Sequence, residues 1–241
     1  VKIRELEGMQ QYKGFYRSPL LDPAAEKTRV DIVENGIRYT VDVENGQKTG
    51  FFLDQKFNRL AAAQIGKGRH VLDCFTHTGA FALNIAKGGA ASVTALDISE
   101  EAVEMTAHNA KQNGLAVEAV EADVFDFLTE LDKKKDHSYD YIVLDPPAFT
   151  KSGKTVHEAF RGYKEINYRA MKILPRGGYL ATCSCSHFMG EELFVKMVKE
   201  AARDAGVTLR QIEFRQQAPD HPILMTVPET YYLKFFLFQI V

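Results

Sequence analysis

Four apolar residues, Tyr141-Ile142-Val143-Leu144, run without alternation into Asp145-Pro146-Pro147-Ala148-Phe149. A short β-rich run with no polar alternation suits a strand covered on both faces, as in the middle of a parallel sheet. Pro146 and Pro147 then remove two ladder donors and fix φ, so the backbone leaves the sheet rigidly just after Asp145. In open α/β sheets ligands bind beyond the carboxyl ends of the strands. A carboxylate on a stiff loop at that place reads as a site residue or as a cap on the next helix, and the stretch alone does not choose between them.

The flanking sequence fits such a sheet. From His70, strands and helices alternate, which implies parallel pairing through crossovers. Strands are predicted over His70–Phe75, Ser92–Asp97, Val117–Glu121, Tyr141–Leu144, Gly178–Ser184, Thr208–Phe214 and Tyr231–Ile240. Helices are predicted over Gly79–Lys87, from Ser99 as N-cap to about Asn113, and over Val124–Leu131, Tyr163–Leu174 and Glu191–Ala205. Before this region, Asn35-Gly36 joins two β-rich runs and predicts a hairpin. After a second turn at Glu44-Asn45-Gly46-Gln47, Thr49–Gln55 is predicted to pair with that hairpin, and a helix runs from Phe57 to Gly66. Residues 1–27 show little periodicity and read as irregular. The division is a small β appendage over 1–55 and an α/β domain over 56–241, within the reach of a chain of 241 residues.

Net charge is only −2, so bulk electrostatics announces no nucleic-acid partner. Locally, Ala148–Arg176 carries Lys151, Lys154, Arg161, Lys164, Arg169, Lys172 and Arg176 against Glu158 and Glu165, a basic excess directly after the Asp145 loop. The three cysteines, Cys74, Cys183 and Cys185, make no disulfide framework, and no Cys/His spacing resembles a zinc site. A reducing, cytoplasmic location follows, with no membrane span and no signal peptide. Val1 opens the chain without an initiator Met and reads as the start of a fragment.

Three carboxylates end successive predicted strands: Asp73, Asp97 and Asp123. The turn Phe75-Thr76-His77-Thr78-Gly79 can present backbone N–H groups, but it lacks the three-glycine dinucleotide fingerprint, which argues against a pyrophosphate cofactor. Asp97 can take the two hydroxyls of a ribose, and Asp123 can accept from the exocyclic amine of an adenine. Each alone also reads as a helix cap. The layout over 70–241 resembles the class I S-adenosylmethionine-dependent methyltransferases. The resemblance implies a Rossmann-like, doubly wound, seven-stranded sheet whose last strand is antiparallel. It also implies S-adenosyl-L-methionine held by Asp73, Phe75, Thr76, Thr78, Gly79, Asp97, Ile98, Asp123, Val124 and Asp145, with no metal.

Thr182-Cys183-Ser184-Cys185-Ser186 ends a strand that emerges beside the Asp145 loop. A thiolate adding at C6 of cytosine would activate C5 toward methylation while Asp145 holds the N3 and amino edge of the base. Strand alternation puts Cys183 and Cys185 on one face; position near the strand end favours Cys185, and either can be a small core residue. The motifs Thr49–Gln55, Asp73-Cys74-Phe75, Asp145–Phe149, Arg161–Asn167, Ser184-Cys185-Ser186 and Phe214–Pro222 resemble the bacterial large-subunit ribosomal RNA cytosine-5 methyltransferase family that carries an N-terminal PUA domain. In that family the Ser-Cys-Ser cysteine is the proposed nucleophile, which implies Cys185 here. Ala148, where a Lys is common, and the additional Cys183 depart from the pattern. The resemblance implies a large-subunit ribosomal RNA partner and a PUA domain upstream of Val1. Pro146, Pro147, Phe149, Arg161, Tyr163, Lys164 and Asn167 are candidate substrate contacts, for phosphate or for stacking on a splayed base; a solvated amphipathic helix is the alternative for the last four. Arg215, Gln216, His221 and Pro222 fall in the loop between the last two strands, which either closes over the substrate or merely turns the chain. The hairpin is a candidate homodimer interface. Two other functions stay open: methylation of a purine nitrogen, since Asp-Pro-Pro loops also position amino groups, and a non-catalytic RNA-binding module that keeps the cofactor pocket.

Overall fold

Asn35 and Gly36 both take positive φ, 55° and 71°, and the chain reverses there between β1 (Arg29–Glu34) and β2 (Ile37–Asp42). The computed structural model describes residues 29–43, 46, 50–150 and 152–241. The irregular reading of 1–27 and most of the second turn lie outside them. β2 alternates cleanly: Ile37, Tyr39 and Val41 turn into a core shared with Val71, Phe81 and Ile85.

Over the described part of the predicted third strand, residues 50–55, no strand forms. Among the described residues the sheet has two strands, and Leu53–Gln55 is a single 3₁₀ turn leading into α1 (Lys56–Gly66). Burial of side chains decides the matter. Phe51 packs on Tyr39, with ring centroids 4.9 Å apart, and the Arg59 guanidinium lies 4.6 Å from the centre of the Phe51 ring. Gly50 lets the chain pass: its φ is 85°, and a Cβ there would run into the Asp42 carbonyl and Val41. Arg59 also pairs with Glu34 at 2.5 Å, both side chains buried, and so ties the hairpin to α1.

Beyond α1 the chain alternates: β3 (His70–Cys74), α2 (Ala80–Lys87), β4 (Ser92–Asp97), α3 (Glu100–Gln112), β5 (Glu118–Glu121), α4 (Val124–Lys134), β6 (Tyr141–Leu144), α5 (Val156–Ile173), β7 (Tyr179–Ser184), α6 (Glu191–Ala205), β8 (Leu209–Arg215) and β9 (Lys234–Ile240). The seven strands stand in the order β5-β4-β3-β6-β7-β9-β8. The first five are parallel, and β9 is antiparallel to both of its neighbours. Successive strand residues feed opposite cores. Leu72, Leu96, Ile142, Leu144 and Leu180 meet α4, α5 and α6, whereas Val71, Ala95, Tyr141, Val143 and Ala181 meet α1, α2 and the hairpin. Both faces are covered, as the unbroken apolar run at β6 requires.

Strand order reverses between β3 and β6, and their carboxyl ends form the switch point where ligands bind in such sheets. Three boundaries differ from the sequence reading in ways that bear on this region. β3 stops at Cys74 because Phe75 turns to φ 65°. α5 starts at Val156, not Tyr163; Gly162 lies inside it, where a Cβ would press to 3.2 Å on the Phe149 ring. β9 starts at Lys234, because the Tyr231 hydroxyl donates to Glu191 (2.7 Å) and that of Tyr232 to Asp54 (2.8 Å) instead of continuing the strand.

Candidate active site

The turn after β3 is built from left-handed residues. Phe75, His77 and Gly79 have φ of 65°, 54° and 78°, and the turn is held by its own N–H groups: Thr76 N donates to Leu96 O (2.8 Å) and Gly79 N to Thr76 O (2.9 Å). α3 braces it from behind: Thr106 Oγ1 donates to His77 O (3.2 Å) and Asn109 Nδ2 to Thr78 O (3.0 Å). Asp73 Oδ2 accepts from Thr76 Oγ1 (2.7 Å) and from Ala82 N (3.0 Å), while Asp73 Oδ1 and Thr78 Oγ1 are buried without protein partners. Burial pushes the Asp73 carboxyl up to about 7.

Asp97, half-buried at the end of β4, accepts one N–H on each oxygen, from His77 N (2.9 Å) and Ser99 N (3.1 Å). Ile98 beside it is 68% exposed. Asp123 caps α4 by accepting from Asp126 N (3.1 Å), as the cap reading expects. The Val124 side chain lies in the core, which leaves only its backbone for a ligand. The His77 ring packs 5.0 Å from that of Phe52, and burial lowers its pKa.

Asp145 follows β6 and is gripped from the N-terminal side. Gln55 Nε2 donates to both carboxylate oxygens at 3.1 Å, and Asn58 Nδ2 donates to Gln55 Oε1 at 2.7 Å, which fixes the orientation of the amide. The Cys183 thiol bonds the same carboxylate. Asp145 keeps some solvent access at its surface, yet protein packed round its carboxyl pushes it up to about 6, with Arg59 opposing the rise. Cys183 is wholly buried and its thiol is pushed up by that burial. Gln55 and Asn58 escape a reading of the sequence for site residues; a pair of amides three residues apart at a helix start is the only local signal.

β7 ends at Ser184, so strand alternation does not reach Cys185: Cys183 is sealed in the core and Cys185 is half-buried at the strand mouth. The serines on either side are fixed. Ser184 Oγ donates to the Tyr163 hydroxyl (3.2 Å), and Ser186 Oγ donates to Thr150 O (3.0 Å). β6 and β7 are neighbours, with Leu144 opposite Thr182, so Asp145 and the Ser184-Cys185-Ser186 turn leave the sheet at the same edge.

The α5 candidates separate. Tyr163 is 0% exposed, with its ring 4.6 Å from Phe149 and 5.9 Å from Phe194, and it has no face left for a base. Asn167, one turn on, is equally buried and donates to Tyr163 O at 2.8 Å. Lys164 points to α6, where it pairs with Asp204 (2.7 Å) and Glu200 (3.5 Å). These three are therefore corrected from substrate contacts to structural residues, since helix phase turns them into the core or onto α6. Arg161 is exposed, as is Pro147, while Pro146 is buried and Phe149 half-buried among Phe75, Phe125 and Tyr163. Arg169 is paired too, with Glu165 at 2.7 Å, so the basic excess after Asp145 is smaller at the surface than in the sequence. The loop carrying Gln216 and His221 docks on the segment before α1, through Ala218 N to Asp54 O (2.8 Å), and on the first turn of α1, through Asn58 Nδ2 to Gln216 O (3.3 Å).

A doubly wound seven-stranded sheet with β9 antiparallel, carboxylates at the ends of the central strands and a left-handed turn at the switch point define a Rossmann-like protein of the methyltransferase class. The chain belongs to the S-adenosylmethionine-dependent methyltransferase family, whose model matches residues 20–239. It is 41% identical over 237 residues to the ribosomal RNA large subunit methyltransferase I of Aeromonas salmonicida, covering 97% of this chain and 58% of that relative. To the protein of the same name in Shewanella amazonensis it is 45% identical over 237 residues, with the same shares, 97% and 58%. The chain thus spans less than two thirds of these relatives. A SAM-dependent methyltransferase structure from Streptococcus mutans matches with a TM-score of 0.78 at 24% identity, over 95% of this chain and 58% of that one, a likeness of fold.

Proposed function

We propose that this protein methylates C5 of a cytosine in large-subunit ribosomal RNA, with Cys185 as nucleophile and Asp145 holding the base. The name shared by its relatives supports the RNA substrate. The cytosine-5 chemistry rests on one observation: a half-buried cysteine and a gripped, partly solvent-accessible carboxylate share the mouth of β6 and β7.

S-adenosylmethionine, when bound, supplies a methyl group on a sulfonium centre, a donor that needs an aligned acceptor and a dry site rather than acid catalysis. The residues suit it. Asp73 Oδ1 and Thr78 Oγ1 are buried polar atoms in want of partners at the turn from Phe75 to Gly79. Each Asp97 oxygen keeps a lone pair beyond the N–H it accepts, enough for two ribose hydroxyls. Asp123 has an oxygen to spare for an exocyclic amine, and exposed Ile98 offers an apolar face.

C5 of cytosine is a poor nucleophile on its own. Addition of the Cys185 thiolate forms an S–C6 bond and moves the C5=C6 electron pair to C5, which can then take the methyl. Loss of the C5 proton to a base restores the double bond and expels the Cys185 thiolate. Asp145 accepts from the amino group, and with its carboxyl at about 6 it can share a proton with N3 near neutral pH. The base must leave its stack, because C5 and C6 are approached from opposite sides. Arg161, exposed on α5, can meet phosphate.

The test is methyl transfer to unmodified large-subunit rRNA followed by nucleoside analysis. The expected product is 5-methylcytosine, with a loss on the order of a thousandfold or more in Cys185→Ala. Full activity in that variant would remove covalent catalysis, and an N-methylated purine would remove the C5 assignment.

A further inference from the structure

Lys234, the first residue of β9, lies opposite Ser184 in the β7–β9 register. Its side chain is buried, at 1% exposure, and no carboxylate among the described residues forms an ion pair with it. Burying an ammonium without a counter-anion is costly, so its presence calls for a reason. Two of its three N–H donors are spent on main-chain carbonyls, Ser186 O at 2.6 Å and Tyr232 O at 2.8 Å. Ser186 directly follows Cys185, so these bonds hold Nζ one peptide away from the residue that carries the thiol. Two groups able to bear negative charge act on the ammonium, Cys185 first and Glu191 second. The Glu191 carboxylate is already engaged by the Tyr231 hydroxyl at 2.7 Å.

We propose that Lys234 is a positioning residue for the reaction, a carbonyl-anchored buried cation that stabilises the thiolate of Cys185. Its role in catalysis rests on Cys185 being the nucleophile. Among the described residues, Tyr163 on α5, Tyr232 before β9 and Cys183 on β7 also act on Cys185, with Asp145 at the end of β6 acting on the same cluster, and none of these supplies a positive charge. Burial keeps both tyrosines and the Cys183 thiol neutral at pH 7, and Asp145, once ionised, opposes a second anion. Burial lowers Lys234 to about 8, which leaves it mostly protonated at neutral pH, and a thiolate beside it would hold the proton more firmly. In the activating step the Cys185 S–H bond breaks, its proton leaves to solvent water, the electron pair stays on sulfur, and Lys234 keeps all three of its protons.

A lysine that only staples two carbonyls would hold the turn after β7 but would leave thiol ionisation alone, so ionisation is the measurement. Site-resolved alkylation of Cys185 by iodoacetamide is followed against pH in the wild type, Lys234→Met and Lys234→Arg, with Cys185→Ala correcting for Cys74 and Cys183. The wild-type midpoint should lie below the ordinary cysteine value of about 8.5, and Lys234→Met should raise it by about one unit, roughly tenfold slower labelling at pH 7. Lys234→Arg, which keeps the charge, should stay near the wild type. An unchanged midpoint in folded Lys234→Met overturns the proposal. So does a wild-type midpoint at or above about 8.5, which decides the matter even if Lys234→Met does not fold. Labelling needs no methyl transfer: a shifted midpoint together with an active Cys185→Ala enzyme would sink the nucleophile and leave the thiolate's cation standing, and the converse result would do the opposite.

Discussion

Asp73 carries a charge state that the fold resists. Its carboxyl is buried in the central strand, and its value rises from 3.8 in the unfolded reference to about 7 in the folded chain. Between about pH 4 and pH 7 the native state therefore holds a proton that the unfolded chain has released. Stability falls as pH rises through that window and levels off above it. Asp73→Asn keeps an oxygen for Thr76 and Ala82 but removes the titration. The stability of the variant relative to wild type should thus improve from pH 5 to pH 8, by a few kcal/mol at most. Urea unfolding of both proteins at the two pH values checks this, and identical pH slopes would refute it. Asp145 titrates in the same range and its charge acts on Asp73, so the difference reports the titration of Asp73 together with its coupling to Asp145. Such residues were readable from the sequence because a carboxylate at the end of an apolar run is a local signal. Gln55 and Lys234 were not, because what makes them matter lies far along the chain: Gln55 meets Asp145 across 90 residues and Lys234 meets Ser186 across 48. Tyr163, Lys164 and Asn167 misled for a related reason. Their chemistry suits RNA, but only the phase of α5 against Phe149 and α6 decides which way they point.

At the scale of elements, the hairpin is fastened to α1 by the buried Glu34–Arg59 pair, with Arg59 Nη2 also donating to Phe52 O at 2.6 Å. Glu34 Oε2 and Arg59 Nε have no partners, so the pair is not fully satisfied and is a stringent test of how a buried ion pair holds a peripheral element. Removing one partner strands a buried charge; removing both does not. Glu34→Leu should cost on the order of 3 kcal/mol in urea unfolding, and Glu34→Leu/Arg59→Met should recover more than half of that. If the double variant is as unstable as the sum of the single ones, the stranded charge is not the cause. The elements themselves were largely legible. β4 and α6 match their predicted limits, because Ser92–Asp97 is bounded by turn signals and Glu191–Ala205 is closed by Gly206 at φ 70°. Failures came where a side chain overruled a pattern: Phe51 and Gln55 turn inward and abolish a strand, and Gly162, which looks like a helix boundary, makes room inside α5 for a ring.

For the whole molecule, alternating strands and helices announced a parallel sheet, but no local pattern places β9 between β7 and β8 or brings the segment at the start of α1 against the loop between β8 and β9. They do meet. The segment running into the first turn of α1 and the loop between β8 and β9 hold each other through Ala218 N to Asp54 O (2.8 Å), the Tyr232 hydroxyl to Asp54 Oδ2 (2.8 Å) and Asn58 Nδ2 to Gln216 O (3.3 Å). The same segment carries the Gln55 grip on Asp145, and Tyr232 O anchors Lys234. Loosening the seam should therefore reach both halves of the site while leaving the central strands β3, β6 and β7, buried on both faces, untouched. Asp54→Ala removes the acceptor of the Tyr232 hydroxyl, a charge-assisted bond worth on the order of 2 kcal/mol. Amide exchange should rise by tenfold or more in 52–58 and in 216–233 together, with β3, β6 and β7 unchanged. Acceleration confined to one segment would mean that the two are independent, and acceleration across the sheet would mean that Asp54 supports the fold as a whole. Joint, local acceleration is the pattern that a shared seam over the site demands, and it should be accompanied by lower methyl transfer without a lower unfolding midpoint for the sheet.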